Sequence, residues 1–191
     1  MTKAVYHLSV KDLKGDFIHD LEEQFGDAPV ELVVGSSWKE YVVSEDQFWD
    51  WIKLLDWTQL PNEEMVVEKL VNTLAKAPIR HIYDFYDMLS EKLYALDSAV
   101  YAVSAGLPAA NVSADHFLDI RSCVVANGKE YYHEVLNNPE KIPRDTWFEI
   151  LPYVASMAYE RKTGKEFNYA PRFNYLTFSN KDGWTQLNNR Q

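Results

Sequence analysis

Residues 113–140, SADHFLDIRSCVVANGKEYYHEVLNNPE, decide how the fold of this chain is interpreted. Apolar side chains recur at helical spacing before and after Asn127-Gly128, and Asn138-Pro139 closes the stretch. The pattern predicts two helices that are hinged at the glycine. Ser113 stands at the expected N-cap of the first helix.

The same helical periodicity extends on both sides of this stretch. Ser44 and Gln47 form a capping-box pattern that predicts a helix start, and further helices are predicted after Pro61 and Pro78. Residues 91–105 continue the helical pattern. Pro152 excludes one unbroken helix over residues 147–162.

That proline places a fresh helix start near Leu151, and Gly164 is the expected end of this helix. The following residues are rich in asparagine and aromatic side chains. Such a composition predicts a tail that lies across the helices, with a short hairpin around residues 180–183.

The N-terminal region has a different pattern. Residues 3–9 and 30–34 alternate like strands, and residues 12–25 between them have helical spacing. Two strands alone are marginally stable in water. This unit must therefore pack on the main domain or pair its edge with a second copy, and we predict a homodimer through that edge.

The predicted fold is mainly α, or α+β by a strict count: a compact multi-helix domain with a small strand–helix–strand unit. Three regions are predicted. They are the strand–helix–strand unit at 1–43, the helical domain at 44–166 and the aromatic tail at 167–191.

The charge of the chain limits the classes of partner. Its 191 residues carry a net charge of −10, which argues against nucleic acid and against an anionic membrane surface. Residues 1–64 hold 14 Asp/Glu and 5 Lys/Arg. This local excess indicates either a solvated acidic face or a surface that steers a basic partner.

The cysteine content and the apolar runs indicate a cytoplasmic protein. Cys123 is the only cysteine, so no disulfide within the chain is possible. Its apolar neighbours favour a core residue over a reactive thiolate. No stretch reaches the roughly 20 apolar residues of a spanning helix, and no signal peptide is evident.

Asp115 and Asp119 are the first candidate binding residues. At 100° per residue they lie about 40° apart on the helix, away from the apolar stripe. A carboxylate in the first turn is also favoured by the helix dipole, which is a purely structural role. With His116 they make an acceptable but incomplete set of metal ligands, so neither a metal site nor a cofactor is predicted.

Arg121 is the most informative candidate, because it falls on the border of the apolar stripe. An arginine there needs a carboxylate or carbonyl partners. Asp97 and Glu134 are the candidate partners. The pair is interpreted either as a structural link between helices or as an anion-recognising arginine in a small cleft.

Several of these motifs together resemble a bacterial family known as domain of unknown function 4240. The resemblance covers about residues 44–166. It rests on the following positions: Asp46, Phe48, Trp49, Ile52, Ser113, Asp115, Phe117, Asp119, Arg121, Gly128, Lys129, Glu130, Tyr131, Pro139, Ala158, Tyr159, Glu160, Thr163, Gly164 and Lys165. Ala114 departs from the family pattern at a position that is usually acidic. The resemblance implies a compact helical domain and no catalytic set.

Two functions remain open from the sequence. The first is a non-enzymatic bacterial interaction protein, for example an immunity-type protein that binds a basic partner. The alternative is an enzyme or small-ligand binder with a site around Asp97, Asp115, Asp119 and Arg121. No nucleophile elbow or phosphate loop is present, so no catalytic residue is predicted.

Overall fold

The computed structural model describes residues 15–26, 43–108 and 111–185. The chain divides into two units, Met1–Tyr41 and Val42–Gln191. In the first unit, helix α1 spans Gly15–Phe25 and ends at Gly26, which has a φ of +54°. The helix predicted over residues 12–25 is thereby confirmed for its described part.

The two strands predicted over residues 3–9 and 30–34 lie outside the described residues, as does the edge predicted to form a dimer. The described ranges contain helices, turns and irregular segments but no β-strand. The protein is therefore mainly helical, and the dimer stays a prediction.

The second unit has eight α-helices in its described residues. They are α2 (Glu45–Ile52), α3 (Glu63–Lys76), α4 (Ile79–Ala95), α5 (Ala99–Ser104), α6 (Ala114–Ala126), α7 (Lys129–Asn137), α8 (Val154–Thr163) and α9 (Lys181–Trp184). Three 3-10 turns, Trp57–Gln59, Pro139–Lys141 and Leu151–Tyr153, lie between them.

Local signals account for several helix ends. The Ser44 hydroxyl accepts a hydrogen bond from the Gln47 amide at 3.2 Å, which caps α2 as predicted. Gly128, with a φ of +95°, separates α6 from α7. Gly164 ends α8 in the left-handed conformation, with a φ of +67°.

The sequence prediction was wrong for residues 91–105, which are not one helix. Helix α4 ends at Ala95, and Ser98 is extended, with φ −148° and ψ 159°, before α5 begins. Apolar spacing continues through the break because Leu96 and Ala99 are both buried. The periodicity therefore records burial and not the path of the backbone.

The core lies where α3, α4, α6 and α8 meet. Helix α3 packs on α8, while α4 packs on both α6 and α8. Ala155 and Ala158 of α8 are fully buried, and such small side chains allow two helices to approach closely. The largest fully buried apolar side chains are Trp49, Phe48, Phe85, Phe117 and Phe148.

Ion pairs attach α2 to the rest of this unit. Glu45 lies 2.8 Å from Lys92 of α4, and Asp46 lies 2.7 Å from Lys129 of α7. These two carboxylates of the acidic N-terminal third are therefore occupied by lysines within the fold. In the described part of the chain, no helix is both long and apolar enough to span a membrane.

Candidate functional site

Two of the four candidate residues, Asp97 and Arg121, lie together in the interior. Asp97 is in the turn between α4 and α5, and Arg121 is in the middle of α6; both side chains have no exposed surface. The Arg121 Nη1 and the Asp97 Oδ1 are 4.0 Å apart. This separation allows Coulomb attraction but is too long for a hydrogen bond.

Arg121 uses its hydrogen bonds on backbone and hydroxyl oxygens. Its Nη1 donates to the Leu93 carbonyl at 2.8 Å and to the Tyr175 carbonyl at 3.0 Å. Its Nη2 donates to the Thr177 hydroxyl at 2.8 Å. The guanidinium therefore joins the end of α4 to a segment that lies more than 50 residues after Arg121.

Asp97 binds the same distant segment. Its Oδ1 accepts from the Phe178 amide at 3.1 Å and from the Trp184 indole at 2.9 Å, and its Oδ2 accepts from the Asn180 amide at 2.9 Å. We call Asp97 and Arg121 the buried pair, and residues 172–185 the tail segment. Three N–H donors compensate for much of the loss of hydration of the buried carboxylate.

The end of the tail segment fits tightly against the turn that carries Asp97. A Cβ on Gly183 would lie 2.6 Å from the Ser98 Cβ and 2.7 Å from the Asp97 carbonyl oxygen. The hairpin predicted around residues 180–183 is absent. Instead the Asn180 side chain accepts a hydrogen bond from the Gly183 amide at 3.3 Å and caps the short helix α9.

Arg121 was predicted on the border of the apolar stripe, but the structure places it in the interior. It is fully buried because the tail segment covers it, and Phe117 lies 4.9 Å from the guanidinium carbon. Burial lowers the pKa of Arg121 to about 10, and the negative charges of Asp97 and Asp119 oppose that shift. The other predicted partner, Glu134, pairs with Lys141 at 3.2 Å.

Asp115 and Asp119 belong to a different part of α6. Asp115 is exposed and Asp119 is half-buried. The Ser113 hydroxyl, predicted to cap this helix, makes no capping hydrogen bond. Glu149, in the loop that precedes α8, is the carboxylate with the largest effect on Asp119.

Three hydrogen bonds donated by backbone amides fix this loop. The Phe148 amide donates to the Asp119 carbonyl at 3.1 Å, and the Glu63 carboxylate of α3 accepts the amides of Glu149 and Ile150, both at 3.0 Å. Phe148 points inward with 1% exposure, whereas Trp147 is 50% exposed and contacts the His116 ring.

We call Asp115, Asp119, Glu149 and Glu63, together with Trp147, the acidic face. Among the described residues, no lysine or arginine forms an ion pair with any of these carboxylates, in contrast to those of α2. Helical spacing indicated the two aspartates. It missed Glu63 and Glu149, because only folding brings α3 and the loop to α6.

Burial and the neighbouring carboxylates raise the pKa of Asp119 to about 6. Partial burial is the largest cause, and the charge of Glu149 is the next; His116 acts in the opposite direction. Asp119 therefore changes charge in a pH range where an ordinary aspartate is fully ionised.

Two shallow clefts on the described surface include none of the four candidate residues. One, of about 440 Å³, lies along α3 and the turn before it. The other, of about 380 Å³, is lined by Tyr83, Tyr159, Phe167 and Tyr169. In the described ranges, no three His, Cys, Asp or Glu side chains are arranged to hold a metal ion.

Residues 43–161 match the family described as protein of unknown function (DUF4240). The chain belongs to the DUF4240 family. The resemblance seen in the sequence is thereby confirmed, over nearly the same residues. No curated protein and no solved structure matches the chain.

The DUF4240 region includes the buried pair but ends before the tail segment. Asp97 and Arg121 lie inside it, whereas Tyr175, Thr177 and Trp184, which bind them, lie beyond it. The aromatic content of residues 167–191 was the only sequence signal for these contacts. Nothing in the sequence indicated that Thr177 would bind Arg121.

Proposed function

We propose that this DUF4240 protein is a non-enzymatic interaction protein that binds a basic protein partner through its acidic face. One observation supports the proposal most: carboxylates from α3, α6 and the loop before α8 interact with Asp119, and no lysine or arginine in the described part of the chain forms an ion pair with them. A lysine or arginine of a partner is the complement of such a surface.

Trp147 adds an apolar contact to this electrostatic surface. Half of its surface is exposed beside the carboxylates, and an indole face stabilises a nearby guanidinium or ammonium group. Tryptophan is also frequent among the residues that dominate binding energy at protein interfaces. The acidic face thus offers both long-range attraction and a short-range anchor.

The buried pair supports a structural role more than a catalytic one. Asp97 accepts three N–H groups and Arg121 donates to three oxygens, all within the protein. These bonds leave little capacity for a substrate. We therefore rank the alternative, an enzyme or small-ligand binder using Asp97, Asp115, Asp119 and Arg121, below the interaction function.

The more specific form of the proposal is a bacterial immunity-type protein that acts in the cytoplasm and neutralises a basic toxin. It is supported by the net charge of −10 and by the grouping of Asp115, Asp119, Glu149 and Glu63 in the acidic face. A negatively charged inhibitor associates rapidly with a positively charged target, and salt slows that association.

Affinity capture from cells of the source organism tests this proposal. The tagged wild-type chain is compared with a triple variant, Asp115→Asn, Asp119→Asn and Glu149→Gln, which removes three charges from the acidic face. We expect wild type to retain a basic protein at low salt, and the triple variant to bind the purified partner at least tenfold more weakly.

A second triple variant, Asp145→Asn, Glu160→Gln and Glu166→Gln, is the matched control, because it removes three exposed carboxylates outside the acidic face. It should bind like wild type. If both triple variants bind the partner more weakly than wild type and to the same extent, net charge and not the acidic face determines binding. If the partner is captured equally by all three proteins at high salt, the electrostatic proposal is wrong.

A further inference from the structure

The tail segment is held mainly through its backbone. Asp87 accepts the Arg172 amide at 2.8 Å, and Ser90 accepts the Phe173 amide at 3.3 Å. Asp97 accepts two further amides, those of residues 178 and 180. Side chains of α4 and the turn after it therefore recognise four backbone N–H groups.

Backbone recognition of this kind depends little on the sequence that is bound. Side chains of the tail segment add further contacts: the Tyr175 hydroxyl bonds to the Tyr86 hydroxyl, and the Trp184 indole donates to Asp97. Thr177 is the tail residue whose side chain bonds to Arg121. The Thr177 hydroxyl accepts from Arg121 at 2.8 Å and donates to the Ala114 carbonyl at 2.6 Å. A hydroxyl can do both, whereas a methyl group in its place would leave both partners unsatisfied.

The side chains of the tail segment are only partly buried. None of residues 172–185 is fully buried, and Leu176 and Phe178 are 58% and 39% exposed. Segments with little buried apolar surface open locally at low free-energy cost. The Nε of Arg121, although buried, has no hydrogen-bond partner, so the tail segment does not use the full hydrogen-bonding capacity beneath it.

We propose that the groove formed by Asp87, Ser90, Asp97 and Arg121 is a peptide-binding site that the tail segment keeps occupied. Its ligand is a segment of a partner protein with a serine or threonine at the place of Thr177, folded into turns like those of the tail segment. Such a segment replaces the tail segment when it also offers an acceptor to the Arg121 Nε or buries more apolar surface.

The chemistry of the ligand follows from the segment now bound. It must supply amides spaced like those of residues 178 and 180 to the two oxygens of Asp97, and a hydroxyl to Arg121. This site is separate from the acidic face, so it stands or falls independently of the proposed function.

The test uses the full chain and a fluorescent peptide of residues 172–185. In the chain, Thr177→Val and Gly183→Ala weaken the tail segment without changing any groove residue. The wild-type tail competes at the high effective concentration of an intramolecular ligand. We therefore expect the peptide to bind the weakened chain at least tenfold more tightly than wild type in fluorescence anisotropy.

Two altered peptides make the test specific. A peptide with Thr177→Val should bind the weakened chain about tenfold less tightly, whereas Leu176→Ala, which changes an exposed side chain, should bind unchanged. Equal loss with both peptides, equal binding to wild type and weakened chain, or no binding to either would overturn the proposal. So would a doubled mass of the weakened chain, because a second copy would then fill the groove.

Amide hydrogen exchange on wild type keeps the test decisive if the weakened chain does not fold. The amides of residues 178 and 180 should exchange at least tenfold faster than those in the middle of α4, because the tail segment opens locally. Exchange at the rate of α4 would show that the tail opens only on global unfolding, and would exclude a replaceable tail.

Discussion

Replacing Arg121 by methionine should strongly destabilise the protein. The change keeps much of the side-chain volume but removes three hydrogen bonds of 2.8, 3.0 and 2.8 Å. It also leaves the buried Asp97 carboxylate without its positive neighbour at 4.0 Å. Breaking a buried charge pair in this way costs about 3–5 kcal/mol.

The expected loss lies at the lower end of that range, about 3 kcal/mol, because Asp97 keeps three N–H donors when Arg121 is removed. For Asp97→Asn we expect about 2 kcal/mol, since one carboxylate oxygen is replaced by a donor that faces another donor. Both values are differences in the free energy of unfolding, measured by urea denaturation at pH 7.

The double variant tests whether Arg121 and Asp97 stabilise the protein together, by holding the tail segment, or independently. Both residues bind the tail segment, so its release by the first substitution removes part of the cost of the second. We expect the double variant to lose about 3.5–4 kcal/mol rather than the sum of about 5 kcal/mol, a coupling of about 1 kcal/mol.

Arg161→Met is the matched control. Arg161 also donates to a carboxylate, Glu68, at 2.9 Å, but both side chains of that pair are more than a third exposed. It should cost no more than about 1 kcal/mol. A loss below about 1 kcal/mol for Arg121→Met, or strict additivity in the double variant, would refute the reasoning about the buried pair.

Three further substitutions test separate features. Asp119→Asn should stabilise the protein by about 1 kcal/mol at pH 7.5 and not at pH 4. The fold raises the pKa of Asp119 to about 6, so the protonated side chain favours folding and this contribution is lost as the pH rises through 6. The partial exposure of Asp119 reduces the size of the effect. Gly183→Ala should destabilise by about 1–3 kcal/mol, because its Cβ would lie 2.6 Å from the Ser98 Cβ. Ser44→Ala should cost about 1 kcal/mol through the lost N-cap of α2.

Each of the three has an internal comparison in urea denaturation. Asp145→Asn, at an exposed position, is the comparison for Asp119→Asn and should change stability by less than about 0.5 kcal/mol at pH 7.5. Gly15→Ala adds a Cβ that meets no atom of the described residues within 4 Å and should change stability by less than about 0.5 kcal/mol. Ser113→Ala should cost less than Ser44→Ala, because the Ser113 hydroxyl makes no capping bond. The opposite order would contradict the assignment of the caps.

Local sequence signals predicted most helices of the second unit. Ser44, Gly128 and Gly164 act through contacts within a few residues, so their spacing alone places helix ends. Helical periodicity also identified most of the core. It failed at Leu96–Ser98, because burial continued while the backbone left the helix to position Asp97.

The candidate sites depended on contacts that local patterns do not contain. Arg121 was recognised as needing a partner, and Asp97 was among the two considered. The oxygens that bind it, on Tyr175 and Thr177, are more than 50 residues away. Likewise, the environment that shifts the pKa of Asp119 comes mainly from its burial and from Glu149 in a distant loop.

The order of synthesis gives the tail segment a further consequence. Residues 172–185 leave the ribosome after α4, α5 and α6, the helices that they contact. Until then Arg121 and Asp97 have no tail segment to bind. Synthesis of these helices is therefore complete before the segment that supplies the remaining hydrogen bonds of the buried pair exists. A nonsense mutation just after residue 161 would preserve the whole DUF4240 match yet remove the tail segment. We expect the truncated domain, with Asp97 and Arg121 uncovered, to be a target for proteolytic quality control.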